Sequence, residues 1–332
     1  MSKDRLIWAD SLKGWLALIV IFGHALQFGV ANSGEDYVWN LIYSAHMPAF
    51  FAISGYLAYK TNASSNGFGK LVSRRVKQLL IPFLSWSLID FCTHDYGWGH
   101  LLKYILYPDC MYWFLWTLFF IYLVFTLIVF LSRKHNIRED LPIFLFSLFL
   151  VLAMVFLNYR KFGFQFFSYY FLFYSMGYFI RKYSLLFKKQ SIIIVLFLVW
   201  LILAYYWRMD SAPAFVPSNS IIPQSLWLYS YRFIAATVGV FVLLSFAAKD
   251  FNNYGPDSRI VKLGTYSLGS YVVQLLIIPW VISIVRYVFV GVSDVSIVLV
   301  SFCITTVLSV ATISLLNKNK YTALIFLGKI YK

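Results

Sequence analysis

The 332-residue chain is 61% hydrophobic and 12% charged with a net charge of +15, where a soluble domain is about 25% charged. This composition excludes a water-soluble globular enzyme and describes an integral membrane protein. Apolar segments of about 17 to 25 residues recur throughout, where a barrel would show alternating ten-residue strands, so the predicted class is all-α.

Ten transmembrane helices are predicted, at 8–30, 38–59, 79–94, 111–131, 141–158, 163–180, 191–207, 226–248, 264–289 and 294–316. The first follows Lys3 and Arg5 and imitates a signal peptide, with the run Trp15 to Phe22 as its apolar region. Asp4, Asp10 and the nine spans that follow argue against cleavage.

His24 lies inside the first span and His46 inside the second. An ionisable side chain in hydrocarbon normally faces a bundle interior or a wet cavity. Lys13 precedes His24 by eleven residues, which is three turns and roughly 16 Å along one helix face. Asp10 shares that face. A second span starting near Val38 on the outside carries His46 about 12 Å inward, so in a core of about 30 Å the two imidazoles reach similar depth and line one cavity. Ser54 and Gly55 lack the surroundings of a nucleophile elbow and are expected to pack helices.

The basic residues alternate between sides. One side collects Lys60, Lys70, Arg74, Arg75 and Lys77, then Arg133, Lys134 and Arg138, then Arg181, Lys182, Lys188 and Lys189, then Lys249, Arg259 and Lys262, and last Lys318, Lys320, Lys329 and Lys332. Cytoplasmic loops carry this excess, so both termini are predicted to be cytoplasmic. The opposite loops hold Glu35, Asp36, Asp95, Asp109 and Asp210, with Lys103, Arg160, Lys161 and Arg208 as exceptions. The positive charge is therefore mostly a topology signal plus attraction to anionic membrane lipids. No nucleic-acid partner is expected, because no basic module interleaved with aromatics exists.

Cys92, Cys110 and Cys303 lack metal spacing, and no metal is expected. Cys92 and Cys110 fall near the outer ends of the third and fourth spans, where ordinary buried thiols and an extracytoplasmic disulfide both fit. Trp113 opens the fourth span as an interfacial aromatic and a candidate sugar or acyl wall. Asp90 and Arg232 are expected to find partners within or beside the spans. His94, His100 and His135 fall in loops. No repeat or soluble second domain is visible, so residues 1–332 read as a single domain.

These segments resemble a known family. DSLKGWLALIVIFGH resembles the N-terminal motif of the membrane acyltransferase-3 superfamily, and HMPAFFAISGYL is similar to its second helix, especially in the fucose 4-O-acetylase-like and polysaccharide O-acetyltransferase branch. KLVSRRVKQLLIPFLSW resembles the basic loop and Pro-containing helix that follow, and MYWFLWTLFFIYLV the aromatic opening of helix four. LGTYSLGSYVVQLLI is similar to a late segment that often has histidine where this chain has Gln274. The resemblance implies a cell inner-membrane enzyme that moves an acyl group, commonly acetyl from acetyl-CoA, onto a hydroxyl of a carbohydrate or lipid-linked glycan. It also implies that the family's basic residue is Lys13 and its histidine His24. Lysine in place of the more frequent arginine makes a point-charge contact rather than a bidentate one. Gln274 loses any ionisable role and keeps the capacity to hydrogen-bond a substrate hydroxyl.

The implied chemistry needs these residue types. A sugar hydroxyl attacks a thioester only as a base removes its proton, and imidazole has a suitable pKa. His24 is the expected base, with His46 orienting it, contacting the acceptor or stabilising the oxyanion; the reverse assignment and an acyl-histidine intermediate stay open. Coenzyme A carries phosphates, and Arg74, Arg75 and Lys77, with Lys13, form the expected donor-binding cations. Asp10, Trp113 and Gln274 are supporting candidates. The competing class is a multi-span transporter or flippase for a glycan or lipid-linked substrate. Such proteins often carry interrupted helices in two inverted halves, whereas the His and Lys features here stay in the first two spans.

Overall fold

A computed structural model describes residues 5–63, 67–93, 99–108, 112–157, 159–217, 219–220 and 222–330, and among these it contains helices and no strand. The helices are α1 Ile7–Gly29, α2 Tyr37–Ala63, α3 Phe68–Arg75, α4 Ile81–Thr93, α5 Gly99–Leu106, α6 Trp113–Lys134, α7 Asp140–Leu157, α8 Phe164–Lys182, α9 Gln190–Tyr206, α10 Gln224–Asp250, α11 Arg259–Thr265, α12 Ser267–Val288, α13 Asp294–Leu316 and α14 Lys320–Leu327. Among the described residues, each of the ten predicted segments contains a helix.

Seven of these helices are long and apolar enough to cross a membrane: α1, α2, α6, α7, α10, α12 and α13. The other three predicted spans correspond to shorter or more polar helices. α4 has 13 residues and α9 has 17, so α9 rises about 26 Å against a hydrocarbon core of about 30 Å. α8 reaches 19 residues but carries several tyrosines, Ser168, Ser175, Arg181 and Lys182. Large apolar side chains stay exposed on α7, Phe144, Phe149 and Phe156 among them, and on α9 and α13. Lipid rather than water suits such faces.

The chain divides into two compact units, one of Met1–Phe50 with Leu185–Ile313 and one of Phe51–Ser184 with Ser314–Lys332. In the first, Leu26, Trp39, Trp207, Ala235, Ile278, Ile282, Val285 and Val298 form the main core. Lipid tails are as apolar as these side chains, so close packing rather than water exclusion must hold helices together. Small residues provide it. A Cβ on Gly264 would lie 1.7 Å from the Asp10 carbonyl oxygen, and one on Gly14 2.2 Å from that of Ile260, which seats α11 directly on the start of α1. Gly239 admits Ala45 and Trp200 in the same way. Arg232, expected to have a partner, lies over the Trp207 ring and donates to the Met209 carbonyl.

In the second unit two glycines face backbone reciprocally. A Cβ on Gly55 would lie 1.9 Å from the Tyr174 oxygen, and one on Gly177 1.8 Å from the Ala52 oxygen, so α2 and α8 touch main chain to main chain. This is the packing role expected of Gly55. At one end of α7 and α8, Lys182 pairs with Glu139 and Asp140 at 3.0 and 2.6 Å. Burial alone would raise the Glu139 carboxyl, but the Lys182 ammonium and the Tyr178 hydroxyl outweigh it and hold it below the ordinary glutamate range. Asp90 accepts from the Tyr104 hydroxyl.

Prolines interrupt helical hydrogen bonding, Pro279 inside α12 among them. Pro82 has no N–H for the Gln78 carbonyl, the intervening Val76–Leu80 turn is a π-helix, and Gly328, at φ 62°, presses against that same carbonyl. Pro48 lies inside α2 and leaves the Ser44 carbonyl without its helical donor; the hydroxyl of the same residue accepts from Trp200 Nε1 at 2.9 Å. Cys92 and Cys303 are exposed. The suggested pairing of Cys92 with Cys110 falls outside the described residues, as does His94.

Candidate functional site

The first unit brings His24, His46 and Gln274 together. α1 runs unbroken from Asp10 to His24. At its start the Asp10 carboxylate is shared between Lys13 at 2.7 Å and Arg5 at 2.6 Å, so Asp10 and Lys13, which share one helix face, form an ion pair that acquires a second cation. The seat of α11 on the Asp10 main chain fixes this end of the helix.

Near the other end, Gly23 leaves room for Ile42 and Tyr43 of α2, each 3.1 Å from where its Cβ would be. The glycine beside the histidine thus lets the two histidine-bearing helices approach. Tyr43 is the shared neighbour: its ring centroid lies 6.3 Å from that of His24 and 4.8 Å, edge to face, from that of His46. Trp39 stacks on Tyr43 at 4.0 Å, and the Tyr43 hydroxyl donates to Gln27. The aromatic ring is therefore held from two sides.

The imidazoles differ in surroundings. His46 is buried, and its Nδ1–H donates to the Ile42 carbonyl at 2.8 Å. His24 is half-buried, and its Nδ1 accepts from Gln274 Nε2 of α12 at 2.8 Å. Gln274 is fully buried; its amide nitrogen also donates to the Tyr271 carbonyl at 3.3 Å, and its own oxygen has no partner among the described residues. From sequence, Gln274 has the capacity to hydrogen-bond a substrate hydroxyl. The contact with His24 across 250 positions has no signal in the sequence.

The other candidates belong to the second unit. Arg74 and Lys77 are exposed, on α3 and on the π turn that follows it. Arg75 is half-buried, stacked 4.4 Å over the Tyr122 ring and donating to Gln78 at 3.0 Å. Trp113 is flanked by Phe166 at 4.6 Å and Tyr170 at 5.1 Å, both stacked, with Phe51 beyond. Its ring is first a member of an aromatic stack.

Comparison with known proteins identifies the family. The family profile described as an acyltransferase domain, acyltransferase-3, matches residues 6–314. Nodulation protein NolL of Sinorhizobium fredii is 34% identical over 127 residues, covering 35% of this chain and 34% of that protein. Nodulation protein NolL of Mesorhizobium japonicum is 29% identical over 157 residues, covering 40% and 38%. The chain thus spans little more than a third of the length of these curated relatives. No solved structure matches. With a profile that runs from the first turn of α1 nearly to the end of α13, this multi-pass membrane protein belongs to the acyltransferase-3 family.

Proposed function

We propose that the chain is a membrane O-acyltransferase acting as one domain, which moves an acyl group, acetyl from acetyl-CoA in the first instance, onto a hydroxyl of a cell-surface or lipid-linked carbohydrate at the inner membrane. The observation that carries this is the convergence of His24 and His46 around Tyr43 in a chain of this family. One imidazole removes the proton of the attacking hydroxyl; the other supports the reacting groups. Glycan mass spectrometry of a strain lacking the gene tests the reading. Loss of one acetyl mass from a surface carbohydrate is expected, and unchanged acylation of every surface glycan with a blocked export step would favour the transporter instead.

Donor binding is assigned to Arg74, Arg75, Lys77 and Lys13. Arg74 and Lys77 are exposed, so their donors are open to the phosphates of a cytosolic thioester. Arg74→Ala combined with Arg75→Ala is expected to raise the acetyl-CoA KM severalfold with a smaller change in kcat, the pattern of lost ground-state binding. An unchanged KM in correctly inserted protein removes this segment from the donor site.

The orientation follows the Lys and Arg alternation, with ten crossings and both termini inside. Reporter fusions at Ser33, Asn136 and the C-terminus are expected to read outside, inside and inside. A C-terminus facing outward breaks the assignment, and with it the cytoplasmic placing of Arg74 and Lys77.

A further inference from the structure

The hydrogen bonds around the two imidazoles are not equivalent, and resting on the acyltransferase reading above, the geometry points to a division of labour set by tautomer: His46 is the base through Nε2, and His24, held by Gln274, is the donor that stabilises the oxyanion. The Ile42 carbonyl can only accept, so the His46 Nδ1 at 2.8 Å carries a proton. In neutral imidazole that leaves the Nε2 lone pair free, which is what a base requires. The opposite holds for His24. Its Nδ1 lies 2.8 Å from Gln274 Nε2, an amide nitrogen that can only donate, so the Nδ1 lone pair is engaged and the ring proton resides on Nε2.

The orientation of the Gln274 amide decides this, because the reversed amide would put an oxygen against His24 Nδ1 and invert the tautomer. Reversal would also set that oxygen 3.3 Å from the Tyr271 carbonyl oxygen, with no proton between them. It would then place an NH2 group where the Gln274 oxygen now stands without a partner, orphaning two buried donors instead of one acceptor. Each unmade bond to a buried group carries the full cost of desolvating that group. The orientation that satisfies Tyr271 therefore prevails, and Gln274 is a positioning residue for His24.

The transfer step then balances as follows. The acceptor hydroxyl oxygen attacks the carbonyl carbon of an acyl thioester while its proton passes to His46 Nε2. The tetrahedral oxyanion accepts a hydrogen bond from His24 Nε2–H. As the carbon–sulfur bond breaks, the thiolate leaves and takes the proton back from His46, which gives ester and free thiol and restores both rings.

Two measurements test the assignment. Ring nitrogen chemical shifts from solid-state NMR of histidine-labelled protein in lipid vesicles, without substrate, are expected to show Nδ1–H at His46 and Nε2–H at His24, with Gln274→Met removing the bias at His24. Kinetics in the same vesicles with acetyl-CoA are expected to separate the rings, because glutamine can place an amide N–H where histidine had Nε2–H but cannot act as a base. His24→Gln should then stay within about tenfold of wild-type kcat, where His24→Ala loses about 10²- to 10³-fold as for a missing oxyanion donor. His46→Gln should fall as far as His46→Ala. An Nδ1–H signal at His24, or an inactive His24→Gln beside an active His46→Gln, overturns the assignment. A wild-type chain without acyl transfer to any glycan overturns the function instead, and the substrate-free spectrum separates the two failures.

Discussion

His46→Ala is expected to lower kcat for acyl transfer by about 10²- to 10⁴-fold, the contribution typical of a positioned general base. Abundance and insertion should stay close to wild type. The ring is buried among few polar partners, and its Nδ1–H bond to Ile42 is a single hydrogen bond, worth about 1 kcal/mol net. The Ile42 carbonyl keeps its place inside α2, so the substitution leaves no main-chain group exposed to lipid. Transfer of labelled acetyl to the glycan acceptor in vesicles measures the loss, and size-exclusion chromatography of the same preparation checks the fold. The double variant with His24→Ala should fall little further than the worse single variant, because two groups acting in one step are not additive. Wild-type turnover by well-folded His46→Ala would remove this histidine from the chemistry.

Gly177→Val is expected to yield almost no monodisperse protein, and Gly55→Val to behave alike. Overpacking a core ordinarily costs about 1–3 kcal/mol, because neighbouring side chains shift to new rotamers. Here the neighbour cannot shift in that way. The atoms that a new Cβ would strike are the main-chain oxygens of Ala52 and Tyr174, at 1.8 and 1.9 Å, so relief requires separating α2 from α8 along the whole contact. Even alanine suffices to create the clash, and Gly177→Ala should already lower the thermal midpoint in detergent. Gly69, with nothing within 4 Å of its would-be Cβ, is the control: Gly69→Ala in α3 should be neutral or slightly stabilising through helix propensity. A wild-type midpoint for Gly177→Ala would show that the helices yield more easily than their contact implies.

Much of this fold is legible in the sequence because membrane helices obey two simple rules, sustained apolarity and basic flanks. Hence, among the described residues, each of the ten predicted segments contains a helix, with ends displaced by a few residues at capped or charged positions such as Asp140 and Lys182. The Asp10–Lys13 pair follows from helical spacing alone, and Gly55 announces its contact by being small. What periodicity cannot carry is partnership between distant helices. Gln274 reads from sequence as a substrate ligand, and only the meeting of α1 with α12 shows that its amide bonds His24. For the same reason the sequence points to the base at His24, the residue in the motif, and the hydrogen bonds behind the proposed exchange of roles with His46 have no counterpart in it. Trp113 reads as an interfacial aromatic, but which rings cover its faces depends on the packing of α6 against α8. The basic stretch before the third span reads as a loop and is helical, because Phe68–Arg75 continues through the π turn into α4.

Pro48 has a mechanical consequence for the ring two residues before it. A helix resists bending through its ladder of carbonyl-to-amide bonds, and α2 lacks one rung where the Ser44 carbonyl goes without its donor. The imidazole is thus mounted on a turn that lacks one of its hydrogen bonds. For the base proposed above, which accepts a proton from one atom and hands it to another a little distance away, a turn with one rung fewer offers that small travel at less cost than an intact helix.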